Sequence, residues 1–191
     1  MVKVNPTVLI VPGLFNSGPT HWQSLWQADH PEYIRVQHEN WDRPRCEDWI
    51  TGLDRHVTEL KAPVVLVGHS LACSTIAHWA RRFNRKIGGA LLVAPSDPEA
   101  PGYTFDTEGF SPVPLEPLGF RSIVVTTTDD QYVTVERAQL FADSWGSRLV
   151  NIGPGGHINS DSGHGVWPVG EKLLMELISD CAVNKKSGGA A

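Results

Sequence analysis

The stretch from Val64 to Ala80, V-V-L-V-G-H-S-L-A-C-S-T-I-A-H-W-A, constrains this chain more than any other. A run of four β-branched and aliphatic residues reads as a strand covered on both faces. It passes through Gly68-His69-Ser70-Leu71-Ala72 directly into a helix of small residues. Strand, turn and helix can follow one another this tightly only if the residues two before and two after Ser70 are small, because strand and helix approach closely there. Gly68 and Ala72 meet that need. The hydroxyl of Ser70 then projects from the sheet on a strained turn, next to a helix N-terminus that favours developing negative charge.

The rest of the chain repeats the same alternation. Short apolar runs predict strands over 7–11, 34–36, 64–67, 90–93, 123–126 and 149–152. Between them, Trp49, Ile50, Leu53, Val57 and Leu60 share one helical face, as do Val135, Ala138, Phe141, Ala142 and Trp145; Leu173, Leu174, Leu177 and Ile178 mark a last helix. Alternating β and α of this kind predicts a mostly parallel sheet flanked by helices, an α/β fold. No internal repeat or long linker divides the chain, so residues 1–183 are expected to form one domain. The polar tail 184–191 is expected to be disordered. Residues 95–119 stand apart: they hold six of the fourteen prolines and little periodicity. A connection that long reads as a binding loop, a lid or an irregular crossover.

Composition narrows the partners. The net charge of −5 and the absence of a dense Lys/Arg stripe argue against nucleic acid. Arg81, Arg82, Arg85 and Lys86 lie near the end of a predicted helix, where cations suit the dipole. No stretch has the length of a membrane span, and the first apolar run is too short for a signal peptide. The three cysteines, odd in number and without C-x-x-C spacing, fit a reducing compartment, so a cytoplasmic location is expected.

A serine on such a turn needs a base, an orienting carboxylate and donors for an oxyanion. His157, in the Gly-rich loop N-I-G-P-G-G-H-I-N beyond the sixth strand, is the candidate base. Asp129 and Asp130, beyond the fifth strand, are the candidate carboxylates, with Asp97 a third. The order serine, aspartate, histidine, all at carboxyl ends of strands, is the order such sites use. The N–H of Leu71 is one expected oxyanion donor. The other should come from the loop 12–18 after the first strand, with Leu14 preferred and Phe15 next. A phosphate-binding loop is disfavoured there because Pro19 stands where a lysine is needed. His157, Asp161 and His164 are too irregularly spaced to suggest a metal site. His69 should point away from Ser70, and Cys73 reads as small packing. Neither cofactor nor metal is expected.

Several segments together resemble the small serine hydrolases related to retinoblastoma-binding protein 9: P-G-L-F-N-S-G-P-T-H-W-Q-S-L-W, W-D-R-P-R-C-E-D-W, G-H-S-L-A, T-D-D-Q-Y-V and G-G-H-I-N-S-D-S-G-H-G-V-W-P. The resemblance spans nearly the whole chain. It implies a compact α/β-hydrolase with six parallel strands in the order 2-1-3-4-5-6. It also implies a Ser70, Asp130, His157 triad, with Asp130 rather than Asp129 matching the family's aspartate, and carboxylesterase-type activity. Two positions depart from the family: Ala72 replaces the more usual elbow glycine, and Gln131 replaces the proline after the aspartate. The expectation is therefore hydrolysis of a small-molecule acyl substrate, an ester or else a thioester or amide, through an acyl-serine. The alternative is a protein of the same fold that has lost turnover and binds a protein partner.

Overall fold

A computed structural model describes residues 5–187. Six strands, β1 (Thr7–Val11), β2 (Ile34–Arg35), β3 (Val64–His69), β4 (Gly89–Val93), β5 (Ser122–Thr126) and β6 (Arg148–Asn151), form one parallel sheet in the order β2-β1-β3-β4-β5-β6. This is the order the resemblance implied, and each strand falls within two residues of its expected bounds.

Period-two alternation divides the strand side chains between two cores. Leu9, Val11, Leu66, Leu92 and Val124 face α2 (Cys46–Glu59), α3 (Leu71–Phe83) and α4 (Val135–Trp145). Val8, Ile10, Val65, Val67, Leu91 and Val125 face α1 (Trp22–Asp29) and α5 (Pro168–Ser187). Both faces of the central strands are therefore sealed, which is why their sequences are almost continuously apolar. On the first face α2 and α3 are locked by buried Asp54. Its carboxylate accepts from Trp79 Nε1 at 3.1 Å and pairs with Arg85 at 2.9 Å. The Arg85 guanidinium holds that carboxyl below its usual pKa. Arg85 thus serves the fold from just beyond α3, while Arg81 and Arg82 occupy its last turn.

Helix α1 has no counterpart among the expected helices. It is eight residues long, and its cap is His21, whose Nδ1 accepts from Gln23 N, rather than one of the usual cap residues. Its burial rests on Trp22 and Trp26, packed with Trp167 of the segment leading into α5. Helix α5 is longer than expected. It continues through residues 184–187, where no glycine or proline interrupts the chain before Gly188, whereas a tail from residue 184 was expected. Residues 188–191 of that expected tail lie outside the described residues. No helix among the described residues is long and apolar enough to cross a membrane.

Residues 95–119 are pinned at several points. Glu108 N donates to Pro44 O at 3.0 Å, Cys46 N to Glu108 O at 2.8 Å, and Trp145 Nε1 to Pro114 O at 2.7 Å. His78 Nε2 donates to Phe110 O at 3.1 Å. The segment is a wall that starts at the carboxyl end of β4 and runs down the face covered by α2, α3 and α4, where Phe110, Val113 and Leu118 join the core.

Candidate active site

Ser70 sits between β3 and α3 with φ 58° and ψ −124°, a conformation that costs a non-glycine residue about 1–3 kcal/mol. Close packing around the turn holds it there. A Cβ on Gly68 would lie 2.7 Å from Ile76 Cδ1, and one on Gly13 would lie 2.7 Å from His69 O and 2.9 Å from Ser70 Cβ. Ala72, where the usual pattern has glycine, is fully buried in the same packing.

His157 Nε2 lies 2.8 Å from Ser70 Oγ, and its Nδ1 lies 2.9 and 3.0 Å from the two oxygens of Asp130. The carboxylate can only accept, so Nδ1 carries the proton and Nε2 is left to accept from the serine hydroxyl. The Asp130 side chain has no exposed surface, and its Oδ1 also accepts from Tyr132 N at 2.9 Å. The histidine is 6% exposed, just enough to meet a cavity.

The neighbouring carboxylates do other work. Asp129 accepts from Gly155 N at 2.7 Å and Gly156 N at 2.8 Å, bracing the loop that carries His157; these N–H groups lower its pKa. Asp97 pairs with Arg137 at 3.1 Å, away from the histidine. The loop itself is strained, with Ile158 buried at φ 46°. Buried donors grip it on both sides of the strain. His69 Nε2 donates to His157 O at 2.9 Å and Trp22 Nε1 to Ile158 O at 2.8 Å. The His69 ring packs against His21 and Trp22, on the side of α1, and His69 also borders the cavity that Ser70 lines. Burial keeps the ring neutral.

Leu14 and Leu71, the residues expected to supply oxyanion donors, both border the cavity that Ser70 lines. The N–H groups of Leu14 and Leu71 meet no acceptor among the described residues, and Gly13 lies against the elbow beside Leu71 N. Phe15, the second choice, is unsuitable because its N–H donates to Trp41 O at 3.0 Å. Gln23, fully buried, ties the region together. Its Nε2 donates to Val11 O at the end of β1 and to Val67 O within β3, and its Oε1 accepts from Ser17 Oγ at 2.6 Å. Gln23, Trp22 and His69 were not legible as site residues, because each acts on backbone distant in sequence. Cys73 is buried against Gly68 O and Val93 O, and burial pushes its thiol well up. His164 donates to Gly155 O at 3.0 Å.

Ser70, His157, Leu14 and Leu71 open on a cavity of about 410 Å³. Tyr103 and Phe105 from the 95–119 wall, Tyr132 and Phe15 line it as well.

A family model described as serine hydrolase matches residues 8–176. The chain belongs to that family. A solved structure described as a YdeN-like hydrolase from Pectobacterium atrosepticum is similar at 30% identity and a TM-score of 0.84, over 93% of this chain and 92% of that one. The ydeN gene product of B. subtilis is similar at 22% identity and TM-score 0.79, over 91% and 99%. Est1E from Butyrivibrio proteoclasticus shares the fold at 14% identity and TM-score 0.66, over 93% and 90%. No curated protein sequence matches the chain. The fold is that of a compact α/β-hydrolase.

Proposed function

We propose that this serine hydrolase cleaves small carboxylic esters, with Ser70 as nucleophile, His157 as base and acid, and Asp130 as the carboxylate that orients and stabilises the imidazolium. The observation that carries this reading is the unbroken series of hydrogen bonds from Asp130 through His157 to Ser70, ending in a cavity beside two unengaged N–H groups.

In the reaction, Ser70 Oγ attacks the ester carbonyl carbon while its proton passes to His157 Nε2. The carbonyl oxygen becomes an oxyanion held by Leu14 N–H and Leu71 N–H. Collapse breaks the bond to the alcohol, which leaves with the proton from His157, and an acyl-serine remains. Water then attacks the acyl carbon and gives a proton to His157. Ser70 Oγ departs and recovers that proton as the acid is released. Asp130 stays ionised throughout.

We read the chain as one domain working in the cytoplasm on a small molecule. The odd number of cysteines without C-x-x-C spacing supports the compartment.

Fluorophosphonate labelling and hydrolysis of p-nitrophenyl acetate test the reading in the parent and in Ser70→Ala. Labelling and turnover are both expected in the parent and absent in the folded variant. A folded parent that neither labels nor hydrolyses would return weight to a binding role.

A further inference from the structure

Phe15 is an odd residue for the loop it occupies. It is 58% exposed and has φ 64°, a conformation that penalises a bulky side chain. Folding alone does not call for an exposed aromatic on strained backbone, and such strain collects at ligand sites. Its ring meets Phe105 of the 95–119 wall edge-on, with centroids 5.9 Å apart. Phe105 in turn contacts Tyr103 at 5.1 Å and Tyr132 at 5.7 Å, and Tyr132 stands 4.5 Å from the His157 ring. All four rings line the cavity over Ser70. They form a continuous aromatic wall from the base to the oxyanion loop.

One short segment fixes both halves of this wall. Trp41 O accepts the Phe15 N–H. A few residues on, Pro44 O and Cys46 N bind the backbone of Glu108, while Arg43 pairs with Asp106 and Arg45 with Glu108, each at 3.2 Å. The W-D-R-P-R run takes no part in the serine chemistry. Its bonds to both loops set the spacing between Phe15 and Phe105.

We propose that this wall is a preorganised subsite for a planar aromatic ring, and that the substrates are small esters bearing an aryl group close to the scissile bond. The proposal rests on the hydrolase reading above. A substrate ring completes the edge-to-face cluster, whereas a saturated ring of like size gains only the apolar burial. Two such ring contacts amount to roughly tenfold in kcat/KM.

The experiment compares phenyl and cyclohexyl esters by proton release, each rate divided by that of alkaline hydrolysis. Benzyl against cyclohexylmethyl acetate places the ring in the alcohol; methyl phenylacetate against methyl cyclohexylacetate places it in the acyl group. A phenyl preference of roughly tenfold in at least one pair is expected. That ratio should fall toward one in Phe105→Leu and in Phe15→Leu, both checked for native circular dichroism. A ratio near one in both pairs, or one that neither variant changes, overturns the proposal. Calorimetric binding of phenylacetamide and cyclohexylacetamide to Ser70→Ala separates the two readings. If no ester is turned over but the phenyl amide binds preferentially through Phe105, the subsite stands and the hydrolase reading falls. Equal binding of the two amides overturns the subsite.

Discussion

Acidification from pH 7 to pH 5 should weaken this fold through buried histidines, and His38 offers the cleanest measurement. Its ring stacks on Trp49 at 4.2 Å with an interplanar angle of 6°, and its buried Nε2 has no hydrogen-bond partner. Burial, reinforced by His56, lowers its pKa from 6.5 to about 4. The sign follows from proton counts. Between those two values the unfolded chain binds a proton that the folded chain refuses, so stability rises with pH across the window and is lost as pH falls below 6.5. At pH 5 the unfolded ring is almost wholly protonated and the folded ring almost wholly neutral. The difference is about 2 kcal/mol against this fold. For a chain of this size that is about 4–8 °C in Tm. His38→Phe keeps the stack on Trp49 and has nothing to protonate. The assay is thermal unfolding of parent and variant at both pH values, followed by circular dichroism. The parent should lose about 4–8 °C more than His38→Phe between pH 7 and pH 5. Carboxylates with lowered pKa contribute little there, because their window lies below their ordinary values. Equal losses in the two proteins would refute the reasoning.

Three further outcomes are expected. In ester kinetics, Asp130→Asn should lower kcat by roughly a thousandfold or more, because an amide no longer fixes the productive tautomer. Asp129→Asn, which only weakens the grip on Gly155 and Gly156, should cost about tenfold or less; the reverse order would reassign the pair. Gly13→Ala should fold but lose about a hundredfold in kcat/KM, since its Cβ would displace the elbow. A fully active variant would show that the elbow can yield. Trp22→Phe leaves the buried Ile158 carbonyl without its donor. It should cost about 1–3 kcal/mol in chemical denaturation and lower kcat more than it raises KM; unchanged kcat would separate loop strain from catalysis.

Much of this protein was written locally. The apolar runs and helical faces mark strands and helices because burial on two faces, or along one stripe, leaves a periodic trace. The elbow is equally local, since Gly68, Ser70 and Ala72 satisfy a steric demand within five residues. The order of Ser70, the aspartates and His157 could be read because each follows a strand on the same edge of a parallel sheet.

The tertiary structure decided what depends on partners far apart in the chain. The residue pattern left Asp129 and Asp130 open and only the family resemblance favoured Asp130; the path of the turn is what directs one carboxylate to the imidazole and the other to glycine N–H groups. The choice of Leu14 over Phe15 turns on Trp41, a residue of another loop. The roles of His69, Trp22 and Gln23 are bonds to remote backbone, which no side-chain pattern records. The aromatic wall draws on three separate loops, two of them joined by the braces at Trp41 to Cys46. Periodicity reports what a segment buries. Which groups meet across the sheet edge is fixed only when the strands are in register.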